Sequence, residues 1–174
     1  MADKSKYGKY ICTRFVPNIP LPPYREWERD MLGDDLWDGY HRALQHIVWT
    51  DAKVIPGAFY SEMVWHWNHK YPGMRPPVVL TPAQLEEAKK KPGGGGVPPH
   101  AHPFPELLSF FGTDPNKPDD LRGEVEFWLE DEKYVFQKSF VVYIPAGVTH
   151  CPLRFHRMDD SFMHYTIGPG GSYV

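Results

Sequence analysis

The hydrophobic rhythm of the chain changes several times along its length. Residues 1–24 are polar and then proline-rich, with Pro17, Pro20, Pro22 and Pro23 favouring an extended arm over a packed helix. Between residues 24 and 38, Trp27, Met31, Leu32 and Leu36 recur at spacings near three and four, which predicts a short amphipathic helix, so that residues 1–40 form an arm with a short helix. Residues 41–49 and 58–67 are rich in β-branched and aromatic side chains and are separated by Thr50-Asp51-Ala52 and Pro56-Gly57, the pattern of two strands and a turn. In the second strand Phe59, Ser61, Met63, Trp65 and Trp67 share one face, and Tyr60, Glu62, Val64 and His66 share the other. The tryptophan face is expected to be the core face, which would turn Tyr60 and Glu62 away from any cavity that the tryptophans line.

Residues 70–97 interrupt this β pattern. Thr81 as N-cap, Pro82 at the first helical position and Gln84 closing a capping box predict a helix to about Lys91, ended by Pro92 and the run Gly93 to Gly96. Seven short strands are expected after it, over 99–102, 107–111, 124–129, 134–137, 140–144, 153–157 and 161–167, with Glu130-Asp131-Glu132 as a hairpin tip. Short strands at this spacing predict an all-β jelly-roll barrel or sandwich.

Composition narrows the picture further. A chain of 174 residues fits one domain, 1–174. With 19 Lys and Arg against 22 Asp and Glu, the net charge of -3 offers no basic field for nucleic acid or an anionic membrane. The longest apolar stretch, 140–144, is far below the roughly 20 residues that span a bilayer, and no apolar signal segment follows the first ten residues, so a cytoplasmic protein is expected. Cys12 and Cys151 are too few for a disulfide framework and lack the spacing of a zinc ribbon.

The chemistry concentrates in GGGVPPHAHPFPELLSFFG, residues 94–112, and IPAGVTH, residues 144–150. On a strand, His100 and His102 project from the same face and can reach one ion. Glu106 follows two chain-reversing prolines, Pro103 and Pro105, so that its carboxylate can return towards the imidazoles from the next strand. His150, after the Pro145-Ala146-Gly147 turn, can supply a fourth ligand.

These two segments resemble the paired motifs of the cupin superfamily. Gly94, His100, His102 and Glu106 match the spacing of the first motif, with the closing Gly112 one residue early. Pro145, Gly147 and His150 match the second, in which Ser139 replaces the leading glycine and Arg154 stands where asparagine is usual. The resemblance covers residues 94–154 and implies a cupin jelly roll whose three imidazoles and one carboxylate hold a divalent ion with two adjacent open positions. Iron leads for such a ligand set, and manganese, nickel or zinc fit it too.

Other residues are candidates for the surroundings of the ion. Trp65, Trp67, Phe110, Phe127 and Tyr143 could line a substrate pocket, although strand aromatics commonly just fill a barrel. Arg154, four residues after His150, would share its face on a regular strand and could hold a substrate carboxylate. His164 is a candidate acid or base. Cys151 should point away from His150, and His66 with His69 make a poor second metal pair at three-residue spacing.

The expected function is a metal-dependent enzyme acting on a small oxygen-bearing, aromatic or cyclic molecule by oxygenation or oxidative cleavage. A non-redox lyase, isomerase or decarboxylase at the same ion, or a ligand-binding or sensor module, are the alternatives. A homodimer is expected because open jelly rolls hide sheet edges by pairing.

Overall fold

A computed structural model describes residues 6–13, 21, 23, 44–66, 83 and 97–171. Among these residues eight antiparallel strands form two sheets. They are β1 (Leu44–Thr50), β2 (Tyr60–His66), β3 (Glu106–Gly112), β4 (Asp120–Leu129), β5 (Glu132–Lys138), β6 (Phe140–Ile144), β7 (Arg154–Met158) and β8 (Phe162–Gly168). One sheet has the order β1-β2-β8-β3-β6 and the other β5-β4-β7. The non-sequential neighbours β2-β8-β3 are the long-range pairings of a jelly roll.

Alternation explains which side of each strand is buried. Leu121, Val125 and Phe127 of β4, Leu108 and Phe110 of β3, Ile144 of β6 and Phe162 of β8 meet between the sheets, with Cys151 and Leu153 completing the core. Burying aromatic rings of this size stabilises by roughly 1.5–3 kcal/mol each. A smaller cluster of Leu21, Trp49 and Tyr60, with Phe104 against it, closes the end of the five-stranded sheet. Gly112 marks where β3 runs against β4: a Cβ there would lie 2.1 Å from the Asp120 carbonyl oxygen, so no larger residue fits without moving the backbone.

Two expectations are corrected. The buried face of β2 is Tyr60, Glu62, Val64 and His66, while Ser61, Met63 and Trp65 are on the other side. In register, Val64 faces His164 and His164 faces Phe110, so this more polar face is the one turned to the core. Residues 99–102 do not make a strand; they touch the barrel through isolated bridges, Val97 to Leu153 and His100 to His150. The expected helix at 24–38, Trp67 and His69 lie outside the described residues, as do nearly all of the N-terminal arm and the 70–97 insertion. Among the described residues no helix is long and apolar enough to cross a membrane.

Candidate metal centre

The two motif segments are clipped together by main-chain bonds. His100 N donates to His150 O (3.0 Å) and His150 N to His100 O (2.9 Å), while Gly147 N donates to His102 O (2.9 Å). Gly147, at φ +79°, makes the turn that allows this last bond. Glu106, the first residue of β3, then enters from the strand next to the β6 edge of the larger sheet.

Four side chains converge here. Ring centroids lie 4.2 Å apart for His100 and His150, 4.9 Å for His102 and His150, and 6.1 Å for His100 and His102. The ligand atoms of His102, Glu106 and His150 all lie within 4.8 Å of one another. Those of His100 form a second such group with His150 and Cys151. Cys151, expected on the opposite side of a strand from His150, comes within reach because its φ of +72° breaks the alternation.

Each imidazole is aimed by the backbone close to it. Nδ1 lies 2.8 Å from Pro98 O in His100, 2.6 Å from Phe104 O in His102 and 3.1 Å from Val148 O in His150. A carbonyl only accepts, so each Nδ1 carries the proton and the lone pair of the neutral ring is on Nε2. Two of those nitrogens face the same acceptor: Glu106 Oε2 is 3.2 Å from His102 Nε2 and 3.4 Å from His150 Nε2. His150 Nε2 is fully buried and makes no hydrogen bond of good geometry. Three acceptors gathered this closely need a positive charge among them, either a proton or a cation.

The ionisation follows the same logic. Burial pushes the Glu106 carboxyl up, but the close approach of the His102 and His150 rings outweighs it and holds the group at about 2. Burial pushes His102 down, and the hydrogen bond and charge of Glu106 overcome this and raise it. Burial, reinforced by the neighbouring His150, lowers His100 to about 4.

Around this centre the candidate residues separate. His102 stacks on Phe104 at 4.3 Å, and Phe127 lies 6.4 Å from the His150 ring. Phe110 is in the core and stacks on His164 at 4.5 Å; His164 faces inward, with Nε2 2.6 Å from Thr166 Oγ1. Tyr143, by contrast, is 61% exposed on the outer side of β6, and Trp65 is on the outer side of β2, so neither lines the interior.

Arg154 is also displaced from its expected place. The strand is interrupted at Cys151 and β7 starts only at Arg154, whose register partner is Glu126 on the outer face of β4. Its Nη1 donates to Glu126 Oε1 (3.0 Å), beside Trp128 Nε1 (2.8 Å), while His156 Nε2 and Lys133 Nζ reach Oε2 at 2.7 and 3.2 Å. Burial would raise Glu126, but the donors Trp128, His156 and Lys133 prevail and hold it at about 2.

Sequence reasoning missed the polar group on the inner side of β2. Tyr60 donates to Glu62 Oε2 at 2.7 Å, and His46 Nδ1 pairs with Glu62 Oε1, all three side chains being buried. An acidic residue and two histidines at alternate or register-matched positions, 46, 62 and 66, were the available signal.

A two-sheet jelly roll that brings an H-x-H pair, the glutamate opening a central strand and a histidine after P-x-G to one point decides the architecture. The described residues fold as a two-sheet β jelly roll. No family model matches the sequence, and no curated protein matches it. Among solved structures it is similar to an oxalate oxidase in complex with glycolate (14% identity, 76% of this chain and 53% of that one, TM-score 0.43). It is also similar to HppE in its Fe(II) form (12%, 72% and 48%, TM-score 0.37) and to an RmlC-like cupin from Shewanella frigidimarina (12%, 73% and 75%, TM-score 0.36). This chain thus spans about half the length of the first two.

Proposed function

We propose that this cupin binds one first-row divalent cation through His102, Glu106 and His150, with His100 as fourth ligand, and acts as a metal-dependent enzyme on a small oxygen-bearing organic molecule. The observation that carries this is the meeting of two Nε2 lone pairs and a carboxylate oxygen at 3.2–3.4 Å, buried, with every Nδ1 proton already committed to a carbonyl. Iron is the first candidate, and the N₃O donor set is equally suited to manganese, nickel or zinc. When bound, such an ion polarises a coordinated oxygen and activates water or dioxygen. The chain's own part is to keep the rings oriented, to neutralise charge through Glu106 and to limit water with Phe104 and Phe127.

Oxygenation or oxidative cleavage is the leading reaction. A non-redox lyase, isomerase or decarboxylase is the second reading, favoured by the buried Tyr60, Glu62 and His46 on the inner wall, which offer proton-transfer groups. A homodimer is part of the proposal, supported by the exposed Leu107, Phe111, Val141 and Tyr143 on the outer face of β3 and β6.

Metal analysis of protein purified without added metal is expected to give about one equivalent per chain, and His102→Ala to weaken binding by more than about 100-fold. Oxygen uptake with a panel of small phenols and acids then separates the two readings. Wild-type protein that takes up no ion overturns the centre.

A further inference from the structure

His150 belongs to two groups of donors at once. On one side its ligand atom lies within 4.8 Å of those of His102 and Glu106, and on the other within 4.8 Å of those of His100 and Cys151, which are equally close to each other. The first group offers two nitrogens and a carboxylate oxygen, the second two nitrogens and a sulfur. Main-chain bonds hold every member of the second group. His100 and His150 exchange both of theirs, at 3.0 and 2.9 Å, and Cys151 N donates to Trp128 O of β4 at 3.0 Å. His100 thus stands beside both groups, as fourth ligand of one and full member of the other.

Two independent observations point to a cation on the sulfur side rather than to packing alone. His150 is 1% exposed, and its Nε2 has no hydrogen-bond partner among the described residues. Because Nδ1 faces Val148 O, this buried Nε2 carries the lone pair of the ring. Leaving such an acceptor unsatisfied is costly, and a cation removes the cost. The second observation is the backbone of Cys151, whose φ of +72° lies in the left-handed region that suits glycine. A buried cysteine ordinarily serves as a small apolar filler, and a filler does not need this conformation. Here it turns Sγ towards the two imidazoles instead of away from them.

We propose that His100, His150 and Cys151 form a second site for a thiophilic cation, beside the site of His102, Glu106 and His150, and that the softness of the ion decides which is filled. The inference deepens the metal-centre reading and rests on it, because His150 serves both sites. A neutral imidazole has one lone pair, so the two sites exclude each other and the chain holds one ion whichever it takes. Sulfur favours soft ions such as Cd(II) or Cu(I), and carboxylate oxygen favours harder ones such as Mn(II). Sulfur binds as thiolate, its proton passing to water. A soft ion therefore draws His150 from Glu106 and displaces a harder ion instead of joining it.

Cd(II) and Mn(II) test this on the full chain stripped of metal, with affinity read by calorimetry and sulfur ligation by the ultraviolet charge-transfer absorption of a Cd-thiolate bond. Wild-type protein is expected to show that absorption with one Cd(II) per chain, and to bind no Mn(II) once Cd(II) is in place. Cys151→Ser is expected to lose the absorption and to bind Cd(II) about tenfold or more weakly, with Mn(II) affinity changed less than about threefold. Cys12→Ser, which leaves Cys151 as the one thiol of the chain, is expected to keep the absorption and decides the matter if Cys151→Ser does not fold. Cd(II) bound without the absorption, absorption that survives in Cys151→Ser or disappears in Cys12→Ser, or Cd(II) and Mn(II) held together overturns the second site and leaves the centre standing. Protein that binds neither ion overturns the centre and the second site with it.

Discussion

At the scale of single residues, protonation decides what the centre can hold. A cation needs neutral imidazoles and an ionised Glu106. Glu106 stays ionised down to about 2 and His100 is protonated only near 4, so neither competes with an ion above pH 5. His102 does, because Glu106 raises it above 6.5. Metal affinity is therefore expected to fall as pH drops from about 7 to 5, by up to tenfold per unit for the one proton displaced, measured by equilibrium dialysis. Ion-free protein follows the opposite logic on its alkaline side. Glu106, lowered from 4.5, contributes stability above that value that is lost as pH falls towards about 2; His102, raised, contributes below 6.5 and loses it as pH rises through its folded value. The ion-free pair is thus most favourable between about 4.5 and 6.5, which denaturant titrations across pH will check.

That His100, His102, Glu106 and His150 converge was legible from spacing, because their residue types and intervals recur together in the two motif segments. His46 and Glu62 were not, because the two tryptophans of the β2 segment dominated its apparent polarity.

At the scale of elements, contacts between neighbouring segments transmit strain to the centre. A Cβ at Gly168 of β8 would lie 2.9–3.0 Å from the Phe104 ring, which in turn stacks on His102. Gly168→Ala is expected to displace Phe104 and weaken metal binding by about tenfold without touching a ligand. On the outer face, Glu126 joins β4 to β5 through Lys133 and to β7 through Arg154 and His156. Glu126→Ala is expected to destabilise by about 1–3 kcal/mol in urea, the cost of removing a buried acceptor from several donors, while metal stoichiometry is unchanged. The strands other than the one expected at 99–102 were legible from turn residues, with boundaries shifted by a few positions. The place of Arg154 was not, since counting four residues from His150 assumes a regular strand that the left-handed backbone at Cys151 does not provide.

At the scale of the whole molecule, the two-sheet architecture leaves Val141 (60% exposed) and Tyr143 on the outside of edge strand β6. Pairing of two copies through this region is expected to give twice the monomer mass in sedimentation at micromolar concentration, and Val141→Lys with Tyr143→Lys to halve it. A different consequence follows from the reciprocal main-chain bonds between residues 100 and 150. They close a long stretch of chain that contains β3 to β6, so a cation gripping both ends would act as a clasp on most of the barrel. Loss of that clasp would be felt far from the histidines: chelation should hasten global unfolding, and a chain cut short before residue 150 could never be loaded.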